Sequence, residues 1–193
     1  MRRIILASTS RYRRDLLQRL GMAFECVAPE VDESVLQGED CAGTSLRLAE
    51  AKARAVAGRF PDALVIGSDQ VASCDGRRLG KPGNHERARG QLASLSGASA
   101  QFDTAVALLD TASAILRSRV VSCRVTFRAL TMDQIENYLR REQPYDCAGS
   151  AKAEGLGIAL IARIETDDPT ALIGLPLISL TEMLAETGTP VIG

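Results

Sequence analysis

The residue most able to do chemistry is Asp69, which follows the apolar run Ala63-Leu64-Val65-Ile66 and the small pair Gly67-Ser68. A carboxylate at the end of such a strand faces a crevice on a rigid scaffold, where it can hold a divalent cation or orient a water; an aspartate that merely makes a turn is the plain alternative. Leu6-Ala7-Ser8-Thr9-Ser10-Arg11-Tyr12-Arg13-Arg14 sits where a strand gives way to a helix. Backbone N–H groups and the positive end of the helix dipole converge there, and hydroxyls and guanidinium groups add charge-assisted contacts, so a phosphate fits; a capped surface helix with solvated arginines is the plainer reading. Lys81, between Gly80 and Pro82, projects from a constrained hairpin end, and Lys52 on the preceding helix is its possible companion. Each is a movable point charge suited to phosphate, though a solvated lysine is the default. The small-residue stretch Cys147 to Gly157 lets backbone approach a ligand closely and leaves Glu154 as its notable acceptor.

These residues need a scaffold, and helical and strand patterns alternate from end to end without repeats or long linkers, which predicts one domain of α/β class. Arg3 to Ala7 reads as a buried strand, Arg11 to Leu20 as a helix with Leu16, Leu17 and Leu20 inward, and Phe24 to Ala28 as a second strand. Ser45 to Arg59 reads as a helix capped by Ser45, with Leu46, Ala49, Ala53 and Val56 as its apolar stripe and Glu50, Lys52 and Arg54 elsewhere. Ala63 to Ser73 is a strand, and Cys74-Asp75-Gly76 carries hairpin chemistry. Helices are predicted over Asn84 to Leu95, Thr131 to Glu142 and Leu177 to Glu186, and strands over Gln101 to Asp110, Ile115 to Arg128 and Leu156 to Glu165. The order suits a mixed, curved sheet with helices on both faces and a cleft.

Composition narrows the function. A net charge of -1 supplies no global positive field for a nucleic-acid polymer or an anionic membrane, so phosphate recognition must be local. The apolar start is too short for a signal or a membrane span. Five dispersed cysteines without a C-x-x-C pair favour reduced thiols in the cytoplasm. The single histidine, His85, reads as a solvated helix start, and a Ser/His triad or multi-histidine metal site has no residues to build it.

Taken in order across nearly the whole chain, Leu6 to Leu17 (LASTSRYRRDLL), Ala28 to Glu33 (APEVDE), Glu50 to Lys52, Ile66 to Gln70 (IGSDQ), Gly80 to Pro82 and Ala148 to Gly157 resemble the Maf family of nucleotide pyrophosphatases. The resemblance implies a fold similar to the inosine triphosphate pyrophosphatases, with two lobes around a nucleotide cleft. It implies cleavage of a nucleoside triphosphate between its α and β phosphates, with a divalent cation, Mg²⁺ or Mn²⁺. Carried over by position, Asp69 matches the catalytic acidic residue, Ser8, Arg13, Lys52 and Lys81 the phosphate-handling set, and Glu33 a carboxylate that shares the metal with Asp69. The expected partner is a small nucleotide, and a homodimer is left open.

Tyr12, Gln70 and Glu154 make the chain similar to the YceF-like branch, associated with 7-methyl-GTP, rather than the branch acting on dTTP and UTP, which typically carries Arg, Thr and Gln there. A carboxylate at Glu154 can accept both the N1 and 2-amino protons of guanine, and an aromatic face at Tyr12 suits a cationic methylated base. The branch more usually has Trp where Tyr12 stands, and the family commonly has glycine where Ala105 stands. The rival expectations are a dTTP/UTP pyrophosphatase and a nucleotide-binding regulator of septum formation without turnover. The presence of Asp69 with Lys52 and Lys81 favours an enzyme.

Overall fold

The computed structural model describes residues 2–193. Along the chain lie β1 (Arg3–Leu6), α1 (Arg11–Gln18), β2 (Glu25–Cys26), α2 (Cys41–Ala57), β3 (Ala63–Cys74), β4 (Arg77–Leu79), α3 (His85–Leu95), β5 (Ser99–Asp110), β6 (Ile115–Phe127), α4 (Met132–Glu142), β7 (Ile161–Glu165) and α5 (Leu177–Glu186). The seven strands form one mixed sheet in the order β2-β1-β3-β5-β6-β7, with β4 paired to β3 off that path. β1 runs parallel to β2 and β3, whereas the β3–β4 and β6–β7 pairs are antiparallel.

Two compact units divide the chain. The first comprises the chain through Gln70, Thr104–Val121 and the residues from Asp168 onward; the second comprises Val71–Asp103 and Ser122–Asp167. In the first unit the period-2 alternation of the strands supplies two cores. Ile4, Leu6, Leu64, Ile66, Val106 and Leu108 pack against Leu16 and Leu17 of α1 and Leu180, Met183 and Leu184 of α5. Their neighbours Ile5, Ala7, Val65, Ala105 and Ala107 pack against Ala49, Ala53 and Val56 of α2. Helices therefore cover both faces, as the alternating pattern predicts. In the second unit α3 packs on α4, whose start carries a complete capping box between Thr131 and Gln134.

Several boundaries differ from the sequence expectation. α2 begins four residues before Ser45, because Asp40 is its cap and accepts a 2.6 Å bond from Gly43 N–H; Ser45 lies inside, its hydroxyl donating back to the Ala42 carbonyl. The strand read over Leu156 to Glu165 opens as a 3₁₀ turn, Leu156–Leu160, since Glu142 Oε2 captures the Leu156 N–H at 2.8 Å and leaves the ladder to begin at Ile161. β2 shrinks to two residues, and α1 ends at Gln18 rather than Leu20. His85 is no solvated helix start: its ring nitrogens lie 3.0 Å from Tyr145 Oη and 3.0 Å from Glu136 Oε2. No helix among the described residues is long and apolar enough to cross a membrane.

Candidate active site

Asp69 stands near the middle of β3 rather than at its end, and alternation on that strand divides the IGSDQ segment between two faces. Gly67 and Asp69 face α2. A Cβ at Gly67 would fall 2.0 Å from the Ala49 carbonyl oxygen and 2.8 Å from Ala53 N, so only glycine lets the helix backbone approach this closely. That approach brings Lys52 of α2 to Asp69.

Lys52 Nζ donates to Asp69 Oδ1 at 2.6 Å and lies 2.6 Å from Glu33 Oε1. The lysine and Asp69 are buried while Glu33 is exposed. The sequence reading set Lys52 off the apolar stripe of α2. It belongs on that stripe, three residues after Ala49 and four before Val56, and its charge is buried because two carboxylates meet it. Both carboxylates also act on Arg13: burial pulls the guanidinium pKa below its ordinary value, and the charges of Asp69 and Glu33 pull it back up. Two cations and two carboxylates thus form one balanced group.

Ser68 and Gln70 face the other way, toward the 3₁₀ turn Pro169–Ile173 and Gly174. The Gln70 amide lies 2.9 Å from Thr104 Oγ1, 2.9 Å from the Ala171 carbonyl and 3.1 Å from the Leu172 carbonyl, so both of its protons are engaged within the protein. Ser68 Oγ reaches the carbonyls of Ala105 at 2.8 Å and Gly174 at 2.9 Å. The Gly174 carbonyl also accepts Arg13 Nε at 2.8 Å. Ser8, buried just past β1, accepts the Ser10 N–H at 3.1 Å, and Ser10 in turn caps α1 through Arg13 N. Tyr12 is half-buried, with the Arg11 guanidinium 4.7 Å from its ring centroid and bonded to its hydroxyl at 2.7 Å. Ser8, Arg13, Glu33, Lys52, Asp69, Tyr12 and Gln70 all belong to the first unit.

Lys81 and Glu154 belong to the second unit, and both are exposed. Their loops are tied together by Gln91 of α3, a residue to which the sequence drew no attention. Its amide donates to the Gly80 carbonyl at 3.2 Å, and its carbonyl oxygen accepts Ser150 Oγ at 2.5 Å. Beyond Ser150, Glu142 lies 3.5 Å from Lys152 Nζ and also takes the Leu156 N–H, bracketing the segment that carries Glu154.

As metal ligands, Asp69 and Glu33 offer hard oxygens, but the point between them is held by the Lys52 ammonium, so a divalent cation would bind through their other oxygens, with the remaining ligands from phosphate and water as Mg²⁺ commonly takes them. The donor chemistry therefore fits a divalent cation in company with a phosphate. Among the described residues no group of three or more His, Cys, Asp or Glu side chains is placed to hold a metal by itself.

The family model described as "Maf-like protein" matches residues 3–187, and the chain belongs to that family. It is 55% identical over 97% of its length to a protein of Cupriavidus pinatubonensis, 94% of which is covered, and 58% identical over 97% of its length to one of Polaromonas sp., 85% of which is covered. A Burkholderia pseudomallei protein is 56% identical over 99% of this chain and 90% of its own. All three carry the name 7-methyl-GTP pyrophosphatase. Among solved structures, the Staphylococcus aureus Ham1 protein matches with a TM-score of 0.46 and 15% identity, covering 66% of this chain and 72% of that one.

Proposed function

We propose that this protein is a nucleotide pyrophosphatase that hydrolyses the bond between the α and β phosphates of a modified nucleoside triphosphate, 7-methyl-GTP foremost. The observation that carries the reading is the buried Lys52 ammonium set 2.6 Å from each of two carboxylates, with Arg13 in the same electrostatic group. Cations placed at a triphosphate offset its charge, and a carboxylate beside them can hold a water in line with the α phosphorus. Asp69 takes the proton of that water as its oxygen bonds to phosphorus. The bridging oxygen leaves with the β and γ phosphates as pyrophosphate, and the nucleoside monophosphate remains. Ser8, Arg13, Lys52 and Lys81 bind phosphate oxygens, while Tyr12 and Glu154 read the base and Gln70, its amide protons held within the protein, has only its carbonyl oxygen to offer there. Asp69 and Glu33 would hold a divalent cation, which would supply further neutralisation of phosphate charge. The names of relatives sharing more than half of the sequence support the substrate, and dispersed cysteines support a cytoplasmic setting.

The experiment is incubation of the purified protein with 7-methyl-GTP, GTP, dTTP and UTP, with and without chelator, measuring pyrophosphate and orthophosphate separately. Pyrophosphate together with monophosphate is expected, fastest from 7-methyl-GTP and suppressed by chelator. Orthophosphate as the first product places cleavage at another bond and refutes the reading.

A further inference from the structure

Two buried polar residues of the first unit, Ser68 and Asp168, have no place in the chemistry above. Asp168 is 1% exposed, and its carboxylate is fully engaged in local structure: Oδ1 accepts the Thr170 N–H at 3.0 Å and the Thr170 hydroxyl at 2.6 Å, and Oδ2 accepts the Ile178 N–H at 2.8 Å. The Thr170 hydroxyl oxygen in turn accepts the Leu177 N–H at 2.8 Å. One carboxylate therefore caps both the Pro169–Ile173 turn and the first turn of α5, whose own cap position is Pro176 and offers no side-chain acceptor. Between those two capped starts lies Gly174, at φ +124°, a backbone conformation that side chains rarely adopt. Its carbonyl oxygen accepts Arg13 Nε at 2.8 Å and shares the single Ser68 hydroxyl proton, at 2.9 Å, with the Ala105 carbonyl at 2.8 Å.

A guanidinium has five donors in a fixed plane, so pinning Nε to a carbonyl fixes the direction of the other edge, which carries the two terminal nitrogens. For Arg13 the pinned edge faces Gly174, and the remaining donors are those that a phosphate can take in bidentate fashion. We infer that Ser68 and Asp168 are positioning residues for Arg13: Asp168 sets the bend that presents the Gly174 carbonyl, Ser68 holds that carbonyl, and the carbonyl orients the guanidinium toward the anionic ligand. The assignment rests on the proposed role of Arg13 in binding phosphate. It also explains why a buried hydroxyl stands directly before Asp69. Adjacent residues on β3 serve the carboxylate on one face and the arginine on the other.

The test is a double-mutant cycle on the full chain, using Ser68→Ala, Arg13→Ala and the double variant, with Asp168→Asn added on both arginine backgrounds. Two quantities are read: the Kd for inorganic tripolyphosphate by calorimetry, and KM and kcat for 7-methyl-GTP. Ser68→Ala is expected to raise Kd and KM about three- to tenfold with kcat within about twofold of wild type, as loss of ground-state orientation would, and to change neither on the Arg13→Ala background. Asp168→Asn gives the same arginine-dependent signature. Where its folded fraction falls by circular dichroism, the decision rests on Ser68→Ala, which removes one hydroxyl and no charge. An equal loss on both backgrounds, or no change with Arg13 present, overturns the inference while leaving Arg13 a phosphate ligand. If Arg13→Ala alone leaves tripolyphosphate binding intact, the role of Arg13 falls and the inference with it.

Discussion

Lys52 meets Asp69 at 2.6 Å inside the protein, and the same ammonium meets Glu33 at 2.6 Å where that side chain is largely open to solvent. The pair thus has one buried end and one wet end. Removing only the cation strands a buried carboxylate, and breaking such a pair typically costs about 3–5 kcal/mol. Lys52→Met is expected to lower the unfolding free energy by an amount in that range, moderated by Arg13, and Lys52→Met combined with Asp69→Asn to recover most of it while staying inactive. Equilibrium unfolding of the four proteins of this cycle is the measurement. No recovery in the double variant would show that the two charges do not stabilise one another.

Asp69→Asn keeps size and shape but withdraws the charge that accepts a proton. Turnover of 7-methyl-GTP should fall about a hundredfold or more in protein that is still folded at the assay temperature, with some stability lost because Lys52 keeps only Glu33 as its carboxylate partner. Rapid-quench measurement of pyrophosphate decides, and a variant within a few fold of wild type eliminates Asp69 as the catalytic group.

Gly67→Ala brings a methyl carbon to within 2.0 Å of the Ala49 carbonyl, in a contact that is backbone on both sides. Since neither side can swing away, the expected destabilisation lies at or above the upper end of the roughly 1–3 kcal/mol usual for overpacking. Displacement of α2 should also loosen Lys52 from Asp69, so kcat falls in molecules that remain folded. Denaturant melts and kinetics on the same preparation test both parts.

The hydrogen-bonded guanidinium of Arg47 holds the Glu39 carboxyl at about 2, below its ordinary 4.5. A depressed carboxyl stabilises the fold at pH above its unfolded-chain value and loses that contribution as pH falls from about 4.5 toward about 2. Arg47→Met is therefore expected to flatten the decline of stability over that window. Urea midpoints at pH 5, 4 and 3 for both proteins provide the comparison, and parallel curves refute the assignment.

For base selection, Glu154→Gln replaces one acceptor with an amide donor that opposes the N1–H or 2-amino group of guanine. It should reduce kcat/KM for 7-methyl-GTP and GTP far more than for dTTP and UTP. Tyr12→Ala should penalise 7-methyl-GTP beyond GTP by about 0.5–2 kcal/mol if the ring stacks on the charged base. Because the Arg11 guanidinium already lies over that ring, Arg11→Ala should strengthen the stacking preference. Uniform changes across the four substrates would reject both base-reading roles.

What could be read in advance followed from local chemistry. The alternation of β1, β3 and β5 and the stripes of α1, α2 and α5 place the two cores, and among the motif residues Glu33 and Asp69 meet Lys52 while Arg13 meets Gly174. Lys52 was readable as buried from its spacing to Ala49 and Val56, had its charge not argued for an outer face. Asp168 stands directly before Pro169 as a local cap, a signal the chain offers in plain view, whereas Ser68 and Gln91 left no such trace. Their partners are backbone groups or side chains set by the tertiary fold, the Gly174 carbonyl lying 106 residues from Ser68, and no periodicity registers a bond of that span. The start of α2 was missed because Cys-Ala-Gly-Thr has weak helical preference, and the aspartate cap before it decides the matter.

The assignment of successive β3 residues to opposite faces constrains how this chain can diverge. Gly67 and Asp69 serve α2, and Ser68 and Gln70 serve the turn before α5, so inserting or deleting one residue between Ile66 and Gln70 would exchange every role at once. No single replacement elsewhere compensates such a change of length. Within this lineage the segment should keep its spacing throughout, and its letters at Gly67 and Asp69.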